Sequence, residues 1–448
     1  MRDNDRTLGH SNEGVLLIYR ILTTAALGAA VILVGTAAHP HPHPGPPPGQ
    51  LSADDEAGRV TAKLETPPLW DADDADADDP AIWVDEDDPE DSVVITTAKE
   101  AGLNVYDLNG QLVQHLDPKP APSEEDEGGR YNNVDLIHDF ELDGDEVDLA
   151  VVSDRGMDNI GIFTVDDGVL TEVTDPAAGQ IFTTSQEEIN EGRTAYGLTA
   201  WQNDDGAYAV VSQNSETRIA LLELQANDDG TVGWEKEREL SLPADFVMPD
   251  GSTWTTCDDP GQYAHVEGMV VDDASETLYL AQELVGLWRI DADLSGEPEF
   301  VDKAVEYGLP GTYDAESDEC LYGENPGFGG DVLRTDIEGL TIYESDDDEG
   351  YLLVSSQGDD SFAVYETQGD NEYVGSFSVT DGRVDSTQHS DGADIVNVSL
   401  PGFDGGLFVL QDGDNTPEGT DEESTNFKYV AWENVAENSG LDLDVADD

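Results

Sequence analysis

Positive charge is what this sequence has least of. Only 18 of its 448 residues are Lys or Arg, against 101 Asp and Glu, for a formal net charge of −83. Nucleic acid is thereby excluded as a partner, because binding through counterion release needs Lys and Arg patches. Cysteine is almost absent: Cys257 and Cys320 stand alone, with no metal-ligand spacing around them. They fit an oxidising exterior, where pairing would clamp two Gly/Asp/Pro-rich loops; two lone thiols are the alternative. Convincing helical periodicity is missing from about residue 60 onward. Short β-branched runs between Asp/Asn/Gly turns take its place, which is the all-β pattern.

The acidity runs along the whole chain while the apolar runs persist, which separates it from a disordered acidic protein. The simplest account is a halophilic protein working in very high salt, where short Debye lengths mask self-repulsion. Most carboxylates are then solvated surface, and only those with positional logic merit a role.

After an N-terminal segment, 1–14, residues 15–38 form an apolar stretch interrupted by Arg20. Its uncharged part, 21–38, sits at the lower limit for a membrane span and is long for a signal peptide. Export is expected, with the protein secreted or anchored on the outer face of the cell membrane. The Pro/His-rich stretch 39–58 alternates His-Pro and Pro-Gly and reads as a stiff spacer. Residues 59–433 make the folded domain, and 434–448 an acidic tail expected to be disordered.

Within 59–433 one unit occurs six times. Its second strand recurs at 94–99, 150–155, 209–214, 278–283, 352–357 and 407–412. Opening motifs precede each copy, marked by Pro80, Val134, Gly197, Gly268, Gly339 and Gly392, at spacings of 53 to 71 residues. Six such units predict an all-β, six-bladed β-propeller with loops inserted on one face. A strand over 60–64 beside 427–432 is expected to close the ring.

The repeat sorts polar residues into two sets. Strand ends carry Lys99, Arg155, Asn214, Glu283, Gln357 and Asp412. Opening motifs carry Asp78, Asp79, Asp135, Glu267, Asp336, Glu338 and Asp391. Whether the two sets share an end of the ring is open at this stage. Carboxylate oxygens at this density suit a hard cation such as calcium. Pro80 pushes Asp79 towards an extended conformation, holding oxygens at a strand start. Lys99 and Arg155 are scarce cations, placed where an anion would bind.

The opening motif Asp78-Asp79-Pro80-Ala81-Ile82-Trp83 is followed by Thr96-Thr97-Ala98-Lys99, Asn132-Asn133-Val134-Asp135 and Glu267-Gly268-Met269. Then come Asp336-Ile337-Glu338-Gly339-Leu340, Ser355-Ser356-Gln357-Gly358 and Asn426-Phe427-Lys428. This ordered series resembles the β-propeller phytases from about residue 60 to 432. The resemblance implies a phosphomonoesterase that releases phosphate from myo-inositol hexakisphosphate with several calcium ions, catalytic and structural. The Arg-His-Gly and His-Cys motifs of other phosphatases are absent. It further implies calcium ligation by Asp78, Glu267, Glu283, Asp336, Glu338 and Asp391, with Tyr196 and Gln357 lining the site. Lys99 and Arg155 would hold substrate phosphates. Asp79 and the run ending at Asp135 would hold structural calcium. The expected partner is phytate as its calcium complex, and the expected state is a monomer.

Two positions depart from the family pattern: Glu100 and Asn214 stand where basic residues are common. Both losses remove positive charge where a second phosphate would rest. Competing readings are a calcium-dependent lactonase or esterase, and a non-catalytic calcium-stabilised binding propeller. The first leaves Lys99 and Arg155 unexplained, and the retention of Lys99, Arg155, Glu267 and Glu338 speaks against the decay the second would involve.

Overall fold

The computed structural model describes residues 57–446 except 74, 259, 316, 318, 346–349, 418 and 421. The expected signal or anchor stretch and most of the Pro/His-rich spacer lie outside the described residues. Six antiparallel sheets follow one another along the chain. Blade I comprises Pro80–Trp83, Val93–Thr97, Leu103–Asp107 and Leu112–Leu116. Blade II opens with Tyr131–Leu142 and Asp145–Asp154, blade III with Ala195–Asn203 and Gly206–Gln213, and blade IV with Val266–Asp272 and Thr277–Gln282. Blade V opens with Ile337–Glu344 and Gly350–Ser356, and blade VI with Ala393–Val396 and Leu407–Asp412. The first strand of each blade contacts the first strand of the next, and that of blade VI contacts that of blade I. The ring is closed and the first strands line its axis.

Both faces of a blade are covered, so its inner strands read as apolar runs rather than alternations. Val93–Thr97 is buried at all five positions. The buried side chains fall into six clusters, one between each pair of neighbouring blades: Ala81 with Val152, Leu149 with Ala209, Val210 with Leu278, Tyr279 with Leu352, Leu353 with Phe408, and Val409 with Ile82.

The closing strand differs from the expected 60–64. Leu64–Glu65 pairs antiparallel with Tyr429 and Lys428 to complete blade VI. Gly58–Val60 instead runs parallel to Tyr373–Val379 on the outside of blade V. Val60 is buried among Phe377 and Val379, so the chain straddles two blades. Lys428, fully buried, donates to Glu65 and Asp385, pairs with Asp412, and ties this N-terminal segment to blade VI.

The region expected to be a disordered tail is ordered through 446. Trp432–Asn438 is a helix, and Trp432 stacks on Tyr343 at 4.3 Å between ring centroids. Leu441, Leu443 and Ala446 pack against the blade V–VI cluster, and Ala446 N donates to Tyr343 Oη at 2.8 Å. The apolar spacing of these residues outweighs the charges between them.

Cys257 and Cys320 form a disulfide with Cα atoms 6.0 Å apart. The bond joins the segment after the hairpin Asp245–Val247/Thr253–Thr255 to the hairpin Gly311–Asp314/Glu319–Tyr322.

Candidate active site

The first two strands of every blade are an antiparallel hairpin, so the start of the first lies beside the end of the second. Tyr131 pairs with Asp154, Ala195 with Gln213, Val266 with Gln282, and Ile337 with Ser356. The opening motifs and the strand ends therefore share one mouth. In blades II to V the register breaks immediately after these pairs, before Val134, Leu198, Met269 and Leu340. A bulge re-aims the side chains it contains. The residues so displaced include Asn132, Tyr196, Glu267 and Glu338.

The glycine after each motif residue has a steric cause. A Cβ on Gly197 would lie 2.1 Å from the Glu267 carbonyl oxygen, and one on Gly268 would lie 2.1 Å from that of Glu338. Each blade's motif thus presses on the preceding blade's glycine, which draws the carboxylates together around the axis.

Two groups of carboxylates result. Glu267, Glu283 and Glu338 are buried and each offers an oxygen within 4.8 Å of the others. Tyr196 Oη donates to Glu267 Oε2 at 2.6 Å and Asn132 Nδ2 to Oε1 at 2.7 Å. Burial, then the charges of Glu283 and Glu267, push the Glu338 carboxyl well above its ordinary range. Burial and like charge there disfavour the ionised form, an effect that a bound cation would offset. In the second group Lys99 Nζ lies 2.7 Å from Asp76, 3.6 Å from Asp78 and 3.5 Å from Asp391. Burial works against the Lys99 charge, but Asp78, Asp76 and Asp391 together raise its pKa. Gln357 Nε2 donates to Asp391 Oδ1 at 2.7 Å. Burial raises Asp391 to about 7.

Asp78 Oδ2 and Glu338 Oε2 are buried without a hydrogen-bond partner among the described residues. Orphaned buried carboxylate oxygens in an all-oxygen donor set fit calcium and suit neither a thiolate-seeking nor an imidazole-seeking metal.

Arg155 Nη1 donates to Asn132 Oδ1 at 3.1 Å, and its guanidinium lies 4.6 Å from the Tyr196 ring centroid. Asp336 precedes blade V's first strand, where its carbonyl accepts from Gln357 N at 2.9 Å.

Asp79 and Asp135 lie elsewhere. They line a small cavity of about 50 Å³ between the first strands, together with Asp394. Asp79 Oδ2 accepts from Val134 N at 3.0 Å. Asp135 Oδ2 accepts from Thr199 Oγ1 and Ala200 N, both at 2.8 Å. Asn132, grouped by sequence with Asp135, belongs to the mouth instead, because the bulge turns it there. Asp412 also leaves the strand-end set: it faces Lys428 at 3.0 Å. Blade VI shows no register break between its first two strands.

Sequence reasoning assigned no role to His265, Arg130 or Asp394, and saw Asp76 only as part of the carboxylate run that enters Pro80. His265 Nε2 lies 2.9 Å from Glu283 Oε1, with its ring edge-on to Tyr196 at 4.7 Å. The scarcity that singled out Lys99 and Arg155 could equally have found Arg130, which stands two residues before Asn132.

Comparison with known proteins follows the same lines. The sequence model of the Phytase family matches residues 20–250 and 311–448. A 3-phytase of Bacillus subtilis (strain 168) is 34% identical over 391 residues, covering 85% of this chain and 86% of that protein. Among solved structures, a Pseudomonas aeruginosa periplasmic gluconolactonase aligns at 14% identity and TM-score 0.34, over 64% of this chain and 67% of that one. A chain of a nidogen/laminin complex aligns at 12% identity and TM-score 0.36, over 72% and 85%. Structural scores this low carry no argument.

Proposed function

The chain belongs to the phytase family, and from that premise we propose that its acidic mouth hydrolyses phytate with calcium held by the two carboxylate groups. Phosphomonoester hydrolysis is the activity of the family and of the 34%-identical relative. The observation that carries the calcium reading is the buried trio of Glu267, Glu283 and Glu338, whose oxygens converge within 4.8 Å, with His265 the one cationic side chain among the described residues seen paired to them.

Calcium bound there supplies positive charge for a phosphate dianion and acidifies a water for attack. The chain's own residues do the rest. Glu267, Glu283 and Glu338 would hold one part of the metal cluster, and Asp78, Asp336 and Asp391 the other. Tyr196 and Asn132 fix both oxygens of Glu267, so the carboxylate cannot rotate away from its neighbours. Arg155, held by Asn132 and by the Tyr196 face, presents a fork to a phosphate. Lys99, at the end of blade I's second strand, adds a point charge beside it. Binding and orientation of the ester, without a covalent intermediate, then account for the protein's part. Asp79 and Asp135 would serve a structural ion in the channel.

Export as a monomer, with residues 15–38 as signal or anchor, completes the proposal; cell fractionation tests it. The central test is phosphate release from phytate in multimolar salt. Added calcium should be required, chelation should stop release, and Glu267→Ala should lower it roughly a hundredfold or more. Release that persists through chelation would overturn the metal assignment.

A further inference from the structure

Three of the chain's scarce cations converge on the mouth, and one of them has no role so far. Arg130 lies just before the first strand of blade II. Tyr131 N donates to the Lys99 carbonyl at 3.3 Å, and Arg155 N donates to the Arg130 carbonyl at 2.8 Å. Lys99, Arg130 and Arg155 are thus on adjacent backbone segments drawn from two blades. Arg130 N donates to Asp154 Oδ1 at 3.0 Å, which fixes the segment. The side chain is largely covered, at 17% exposure, and its Nη1 meets Glu100 Oε1 at 3.0 Å. Its Nε is buried with no hydrogen-bond partner among the described residues.

A structural salt bridge does not account for this arrangement. Glu100 is 41% exposed, and a pair of that kind contributes little to stability. Arg130 meanwhile repels both Lys99 and Arg155. An anion at the junction of the three would convert that repulsion into attraction and give Nε a partner. We propose that Arg130 is a substrate-binding residue for a second phosphate of the polyphosphorylated ligand, restrained in the free protein by Glu100. The basic residue absent at position 100 is in this view replaced in space by Arg130, with Glu100 as its competing counterion. The inference rests on the mouth being the seat of a phosphorylated substrate.

The test uses the full chain with calcium in high salt and myo-inositol hexasulfate, a polyanion with no phosphate ester, as the calorimetric probe. Arg130→Gln should weaken its binding about tenfold. Glu100→Gln should tighten it severalfold, a gain that damage to the fold would not produce. For phytate hydrolysis, Arg130→Gln should raise KM with kcat changed less than about twofold, and Arg130→Lys should recover part of the loss. Hexasulfate affinity unchanged in Arg130→Gln, or weakened in Glu100→Gln, would overturn the proposal. Should the wild type bind hexasulfate with this pattern yet release no phosphate from phytate, the hydrolase reading falls and the assignment of Arg130 stands.

Discussion

At the scale of residues, the mouth is a set of carboxylates whose positions are fixed by neutral and cationic neighbours. His265 is the plainest instance. Burial opposes its charge, but the charge and hydrogen bond of Glu283 and the charge of Glu267 raise it to about 9. An unfolded His titrates near 6.5. The pair therefore stabilises the calcium-free fold fully below about pH 6.5 and ceases to do so as pH rises through about 9. Thermal melting in chelator should show His265→Gln less stable than wild type at pH 6, by at most about 3 kcal/mol. The gap should close by pH 10. A gap independent of pH would show that the imidazolium charge plays no part.

At the scale of elements, the working unit is a hairpin with a bulge and a glycine at its first strand. The bulge sends Glu267 or Glu338 into the mouth, and the glycine lets the next blade's backbone approach. Gly268→Ala places a Cβ 2.1 Å from the Glu338 carbonyl oxygen, a backbone atom with no flexible side chain to yield. The substitution should destabilise the protein by about 3 kcal/mol or more. It should also raise the calcium concentration needed for activity, since Glu338 must shift. Equal melting temperatures for wild type and variant would mean that the blades do not press on one another as described.

At the scale of the molecule, a formal charge of −83 repels itself unless salt screens it. The Debye length is about 10 Å at 0.1 M salt and near 3 Å at 1 M. We propose adaptation to high salt on this ground. With chelator present to remove calcium effects, the melting temperature should rise on the order of 10 °C between 0.2 and 3 M potassium chloride. A flat or falling profile would separate the acidity from salt adaptation.

Much of this was legible in the chain. Six opening motifs and six second strands determine the propeller, because a repeat that cannot bury its faces alone must stack. Scarcity marked Lys99 and Arg155, and the Glu-Gly pairs marked Glu267 and Glu338. That motif and strand end meet at one mouth follows from antiparallel pairing, which the structure shows directly. Three things only the tertiary structure decided. The bulge of blade II separates Asn132 from Asp135, and Asp78 and Asp79, adjacent in sequence, go to Lys99 and to the axial cavity respectively. The N-terminal segment divides between blades V and VI, because Val60 and Leu64 find burial on different sheets. Arg130 comes beside Lys99 and Arg155 because Tyr131 N bonds the Lys99 carbonyl across two blades and Arg155 N bonds the Arg130 carbonyl within blade II. Local patterns carry the repeat; convergence on the axis depends on how the blades pack, and no single repeat encodes it.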